Sequence, residues 1–541
     1  MPSRAGWKAA PPGQDRPGYV IIAVLIVIVV LALAAYQFTE LMSAEHRAAV
    51  RSADAVAARN NAISGVHYAT AMLADPSSFY GDLQGDPTAE GAFPNDGFSL
   101  PNRSARFALV SVVNTGSGTW EQRYGAAIDE GGKLNLNALI ALDPSGEVLA
   151  AALNTIAQLT NNPLLTSEVI DAIVDWLDAD DDPRTNGAES SYYLTNPAGG
   201  YRAKNGPLNS LDELLLVKGV TPRLLYGNDR NRNGQADDGS SDPLDRGIAD
   251  YLTVYGRELN LDSQGVLREN VNESEDLAGL YERLTARLGD DLATFIMGYK
   301  IFNVSTNSNN QQQQNVQAGT TADLKSAVQA QLDAGTATNR RRLKSLLDLR
   351  GARITLPKPA GAAQDAPTVV VDSPLNDPAQ LPVLMAKLLD AATTTTIVEM
   401  TPRINVNTAP KEVLMALTSL GGSSSSSSTA SSAASSAGLT ESDIDAIITL
   451  RANQNPADPA TLTGAWLLQQ GGISPDNFKR IEKYITGRSM VYRIHSVGYF
   501  AEGGPVARVE AVIDTNQGYP RILYFRDMTD LDLPRGFDPP R

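Results

Sequence analysis

Oxygen ligands for a hard cation are the chemistry that this sequence offers in most concentrated form. Residues 229–239 read DRNRNGQADDG. Asp229, Asn231 and Asn233 take the first, third and fifth positions of a calcium-loop pattern, Gly234 the sixth, where such a loop turns sharply, then Gln235 and Asp237 the seventh and ninth. Ser240 stands at the twelfth position in place of the bidentate Glu, so the pattern is incomplete. Residues 178–189, DADDDPRTNGAE, form a second acidic loop with Asp178, Asp180, Asp181 and Glu189. Like charges this dense repel, and a divalent cation, calcium by its preference for oxygen, would relieve the repulsion. A solvated acidic turn is the alternative at both loops.

Other chemistries are poorly supplied. The chain has no Cys and three His, which removes thiol nucleophiles, disulfides and a His or Cys cluster for zinc. His46 and His67 fall on a predicted helix and His495 in a predicted strand, and no Ser-His-Asp set, P-loop or dinucleotide fingerprint is present. No catalytic residue is assigned, and the chain is read as a non-enzyme. A net charge of −16 opposes a phosphate backbone, so no nucleic-acid partner is expected.

The elements that position these loops begin with an anchor. The eighteen residues from Tyr19 to Tyr36 contain no charge, Gly or Pro, and as a helix they span roughly 27 Å, the thickness of a bilayer core. Arg4, Lys8 and Arg16 in front, against Asp15 alone, keep the leader cytoplasmic and send the rest across the membrane. Apolar residues then recur at Met42, Ala49, Ala53, Val56, Ile63 and Val66, so the helix continues to about Ala74, where Asp75-Pro76 stops it. Residues 106–113 and 124–128 read as strands around the turn NTGSG. Residues 491–501, 506–515 and 521–526 read as a second, C-terminal meander. Between them lies a large insertion with an internal repeat: KLNLNA from Lys133, RENVN from Arg268 and RINVNTA from Arg403 each precede helical segments. The Asn residues of these elements are expected to cap helices. Three polar stretches, 305–321, 357–367 and the Ser-rich 421–438, bury too little apolar area to offset ordering.

A short basic leader ending at Gly18, followed by Tyr19 and a long apolar helix, resembles the signal of type IV pilins and secretion pseudopilins. With the order of YGAAIDEGGKLNLNAL, DAIVDWLDADDDPRTNGAESSYY, LNSLDELLLVKGVTP, RINVNTAPKEVLMAL and the YRIHSVGYF meander, the sequence is similar to the minor pseudopilin K family of type II secretion systems. That resemblance implies an α+β fold: a pilin-like transmembrane helix packed on an antiparallel sheet, with a mainly helical, sterile-alpha-motif-like insertion. It implies cleavage by prepilin peptidase between Gly18 and Tyr19, methylation of the new N-terminus, and calcium at acidic loops such as that ending in Glu189. It further implies a bacterial inner-membrane location with a periplasmic body, and minor pseudopilins I and J as partners at a pseudopilus tip. Most pilins have a glutamate at the fifth mature position; here it is Ala23, a departure typical of this family. The expected domains are a leader (1–18), helix (19–75), first sheet part (76–132), helical domains (133–246 and 401–489), an extra region (247–400) and the C-terminal meander (490–530). A type IV pilus-like minor pilin is a second reading. The repeat also resembles helix-hairpin-helix modules of membrane-anchored DNA-uptake proteins, but its hairpins offer only Lys218 and Arg223 as bases.

Overall fold

Tyr19–Ala74 is one helix, α1, of 56 residues, uninterrupted because nothing before Gly65 breaks the backbone pattern. The computed structural model describes residues 19–93, 105–116, 119–195, 200–237, 243–305, 316–358, 366–420, 439–456, 458–516 and 520–532. The leader with Gly18, the Ser-rich run 421–438 and Ser240 lie outside them. From Tyr19 to Ala53 every α1 residue is exposed, and its N-terminal part is long and apolar enough to cross a membrane. The C-terminal part buries Ala58, Ala62, Gly65, Val66, Ala69 and Leu73, a stripe of three- and four-residue steps made of small side chains. Asp75 then caps a short helix, Pro76–Gly81, accepting from the Ser78 backbone N–H.

That stripe lies on a sheet assembled from both ends of the chain. Its order is Arg521–Asp527, Ala507–Asp514, Val491–Phe500, β1 (Ala105–Gly116), β2 (Thr119–Tyr124), all antiparallel. The two-residue strand Ile128–Asp129 also pairs with Val491–Phe500. The second N-terminal strand thus ends at Tyr124 instead of beginning there, because a two-residue connection after Gly116, with a register shift near Asn114, folds β1 directly back on itself. Phe107, Leu109, Ile494, Val509 and Ala511 face α1. Two glycines let helix and sheet touch. A Cβ on Gly65 would sit 2.2 Å from Ser496 Oγ, and one on Gly498 would sit 1.9 Å from the Ala58 carbonyl oxygen.

On the opposite face of the sheet sits the helical insertion, built from three copies of one unit. Asn135, Asn270 and Asn405 are 135 residues apart each time. Each lies in a two-residue strand that pairs in parallel with a returning strand: Leu134–Asn135 with Leu252–Thr253, Glu269–Asn270 with Ala392–Thr393, and Ile404–Asn405 with Ile485–Thr486. The stretch between 247 and 400 therefore opens and closes as its neighbours do, and adds a four-stranded sheet of its own, in the order Asn303–Ser305, Arg353–Thr355, Thr368–Asp372, Val316–Ala318. Only Asn135 caps a helix as expected, accepting from Ala138 N–H; Asn270 and Asn405 accept instead from the backbone N–H two residues on. The second Asn of each element braces the unit. Asn137 both donates to the Leu208 carbonyl and accepts from its N–H, and Asn272 does the same with Leu343. Asn407 donates to the carbonyls of Thr461 and Gly487. A side-chain amide matches a peptide group donor for acceptor, which is why Asn recurs there.

Candidate metal centre

The first unit places a helix, Ser167–Leu177, so that Asp175 and Asp178, the residue following its end, project from its last turn toward Glu189. The three carboxylates offer oxygens that all lie within 4.8 Å of one another, and all three residues are buried. Asp175 is held in place by N–H groups of the loop, accepting from Arg184 at 3.2 Å and from Ala188 at 2.8 Å. By contrast Asp178 Oδ1 and both Glu189 oxygens are buried with no hydrogen-bond partner. Burial, with Asp180 and Asp175 nearby, pushes the Asp178 carboxyl up to about 6; burial, with Asp175, Asp178 and Asp181, pushes Glu189 up to about 8. Three convergent carboxylates with unused lone pairs are a hard-cation donor set, and desolvated acids without a counter-charge are otherwise costly. The donor set fits calcium.

Four residues of this loop were singled out in the sequence, and the structure divides them. Asp178 and Glu189 converge. Asp180 and Asp181 are exposed; they accept from the backbone N–H of Asp182 and Ser190 and so shape the loop. Asp175 escapes a reading of the loop because it belongs to the preceding helix, yet its spacing of three from Asp178 puts both on one helical face.

The other acidic loop is differently employed. Asp229 is fully buried and forms an ion pair with Arg246 at 2.6 Å, while its two oxygens also accept from the N–H groups of Asn233 and Gly234. Asn231 accepts from Asn233 N–H, Asn233 from Gln235 N–H, and Asp237 from Arg230 N–H; Gln235 and Asp237 are exposed. A guanidinium already stands beside the acid that would lead a calcium loop. The metal proposal is therefore carried by the first unit's Asp175, Asp178 and Glu189.

Between the sheet and the units lies a charged joint that no sequence motif announced. Arg493 on the sheet donates to Glu130 at 2.7 Å and also bonds Glu510, and Lys133 reaches Glu130 at 2.8 Å. Burial opposes ionisation of these acids, but Arg493 and Lys133 hold Glu130 well below the carboxylate range, and Arg493, with Arg232 behind it, draws Glu510 down to about 2. His495 itself is pushed to about 3, chiefly by burial, and stays neutral. A cavity of about 540 Å³ borders this joint, lined by Arg493, Tyr255, Asp129, Asn407, Arg451 and Arg488 among others. Of the hairpin bases, Lys218 donates to the Asn186 and Gly187 carbonyls and Arg223 faces Asp245 at 3.4 Å.

Residues 132–226 match the family described as Type II secretion system (T2SS), protein K, so the chain carries the first domain of that family over those residues. A comparison with curated proteins found no match. Among solved structures, a chain of the GspK-GspI-GspJ complex from the type 2 secretion system of enterotoxigenic Escherichia coli is similar at 11% identity and a TM-score of 0.33, over 90% of this chain and 98% of that one.

Proposed function

We propose that this chain is a minor pseudopilin of a type II secretion pseudopilus, anchored in the inner membrane by α1 and carrying a periplasmic body that ends the filament. The observation that carries the reading is the combination of an exposed apolar helix continuous with a helix packed on an antiparallel sheet and, inserted between the strands of that sheet, a unit matching the protein K family. The exposed half of α1 has no partner within the described chain, and a bundle of like helices supplies one. In that bundle the neighbours are minor pseudopilins, I and J by family, and the bulk of three helical units above the sheet blocks addition of a further subunit. The chain works by assembly and transforms no substrate. Calcium at Asp175, Asp178 and Glu189 ties the loop 178–190 to the helix that precedes it.

The test is maturation. Protein recovered from its native envelope should begin at a methylated Tyr19, and Gly18→Ala should leave a heavier, membrane-bound precursor. An N-terminus at Met1 in the wild type would refute the pseudopilin reading.

A further inference from the structure

α1 covers only part of the sheet it lies on. It packs on Val491–Phe500, β1 and Ala507–Asp514, and the close approaches at Gly65 and Gly498 set its axis over Val491–Phe500. The outermost strand, Arg521–Asp527, is left uncovered on the same face. Antiparallel partners share a face of a sheet, so Phe525, beside Ala511, and Ile522, beside Ile513, stand on the side where Ala511 and Ile513 join the core under α1. Ala511 and Ile513 are fully buried, whereas Phe525 and Ile522 are 42% and 43% exposed. Tyr524 and Arg526, on the opposite face, already meet Tyr255 and Asp212. α1 turns a continuous flank toward this strand. Arg59, paired with Asp527 at 2.6 Å, marks that side of the helix. Val56 and Ile63 lie three residues before it and four after, and Ala49, Leu41 and Phe38 continue the stripe toward the N-terminus at helical spacing. Val56, Leu41 and Phe38 are each more than half exposed. The charges at the two ends of the uncovered strand are answered within the chain, Asp527 by Arg59 and Arg521 by Asp514.

We propose that the outermost strand and this flank of α1 form a seat for a second helix, which runs alongside α1 and is the anchor helix of a neighbouring subunit; the identity of the occupant rests on the pseudopilin reading above. Spacing favours a helix. Neighbouring strands lie about 4.8 Å apart, so Arg521–Asp527, two places from Val491–Phe500, lies about 10 Å to the side of the α1 axis, the distance at which packed helices sit. Phe525 and Ile522 project from the face of the strand, so a helix laid on top buries them and a strand added at the rim does not. Lipid is too far away to cover them, because Ile63 stands about 40 Å along the helix from Tyr36. Continuity favours an anchor helix in particular. A helix packed on Phe38 and Leu41 near the membrane and held parallel to α1 arrives over Phe525 by staying on the same flank, with Val56 and Ile63 at its side. The apolar surface it covers there carries no unanswered charge to desolvate.

The experiment keeps the full chain in its native envelope. With the photoreactive p-benzoylphenylalanine in place of Phe525, ultraviolet light should join this chain to another membrane-anchored subunit, and mass spectrometry should map the bond to that subunit's N-terminal helix. The same probe at Val383, an exposed residue of the middle unit, should not give that product. Phe525→Ser and Ile522→Ser should each lower copurification of the neighbour at least fivefold while melting with the wild type. No product at 525 overturns the proposal, and so does a bond within this chain, to a second copy of it, or to a neighbour's globular part. Unchanged copurification in both variants overturns it too, as does a lowered melting temperature in both, which would place the two side chains in this chain's own core. The N-terminus separates the two readings: Tyr19 at the start of protein that gives no product removes the seat and leaves the pseudopilin, whereas Met1 removes the pseudopilin itself.

Discussion

Replacing Arg493 by Met should loosen the sheet from the first helical unit, and the structure supplies the size of the effect. Arg493 lies between Glu130, whose side chain is fully buried, and Glu510, which is nearly so, and its guanidinium lies 5.7 Å from the Tyr255 ring centre. Removing it takes away the guanidinium bonded to Glu510, leaving the neutral His495 at 4.0 Å and Arg232 acting from beyond ion-pair distance, and leaves Glu130 with Lys133 and the Thr253 hydroxyl. Breaking a buried pair by deleting one member costs roughly 3–5 kcal/mol. The titration shift agrees: Glu510 falls from 4.5 to about 2, which at about 1.4 kcal/mol per pH unit is roughly 3 kcal/mol. The sign follows from the depressed pKa. This stabilisation is complete above the unfolded value near 4.5 and is lost as pH falls through about 2. Calorimetry on the full chain in micelles should therefore show Arg493→Met melting well below wild type at pH 7, with the gap narrowing as the pH is lowered toward 3. Adding Glu510→Gln to the variant should recover part of the loss, since it removes the stranded charge. Equal melting of variant and wild type at pH 7, or a gap that does not shrink in acid, would refute the reasoning.

The remaining predictions concern other contacts. Gly498→Ala places a Cβ 1.9 Å from the Ala58 carbonyl oxygen, so α1 must lift from the sheet; a loss of about 2 kcal/mol or more should register as a lower melting temperature and faster hydrogen exchange along Val491–Phe500. Calcium should raise the melting temperature of the wild type and chelator should reverse it; Glu189→Gln should abolish the response, and coincident melts with calcium and chelator would remove the metal. Asn272→Ala deletes the donations to the Leu343 and Thr394 carbonyls and the acceptor for Leu343 N–H. Leaving these groups unpaired should cost about 2–3 kcal/mol, seen as accelerated exchange of the Leu343 amide and as a shifted urea midpoint.

Much of this architecture was legible in the order of residue types. A run of apolar residues the length of a bilayer, period-two alternation at 491–500 and 507–514, and a thrice-repeated Asn-x-Asn are local patterns, and local patterns survive in one dimension. What the sequence did not reveal lies in long-range pairing. The region 247–400 read as an extra because added segments, among them the strands of a four-stranded sheet, interrupt it; only the parallel return of Ala392–Thr393 to Glu269–Asn270 shows that it closes as its neighbours do. Both acidic loops look alike as strings of oxygen-bearing residues. The difference between them is Arg246, seventeen residues after Asp229, and Asp175, which precedes its loop. The joint of Glu130, Arg493 and Glu510 joins residues up to 380 positions apart. Sequence alone thus determined most of the segments that become helix, strand or anchor, though not the place of the second strand, since backbone preference and hydrophobic period act over a few neighbours. Tertiary structure alone decided which charges are answered by a partner and which are left for a ligand, because that depends on what the folded chain brings within a few ångströms and shields from water.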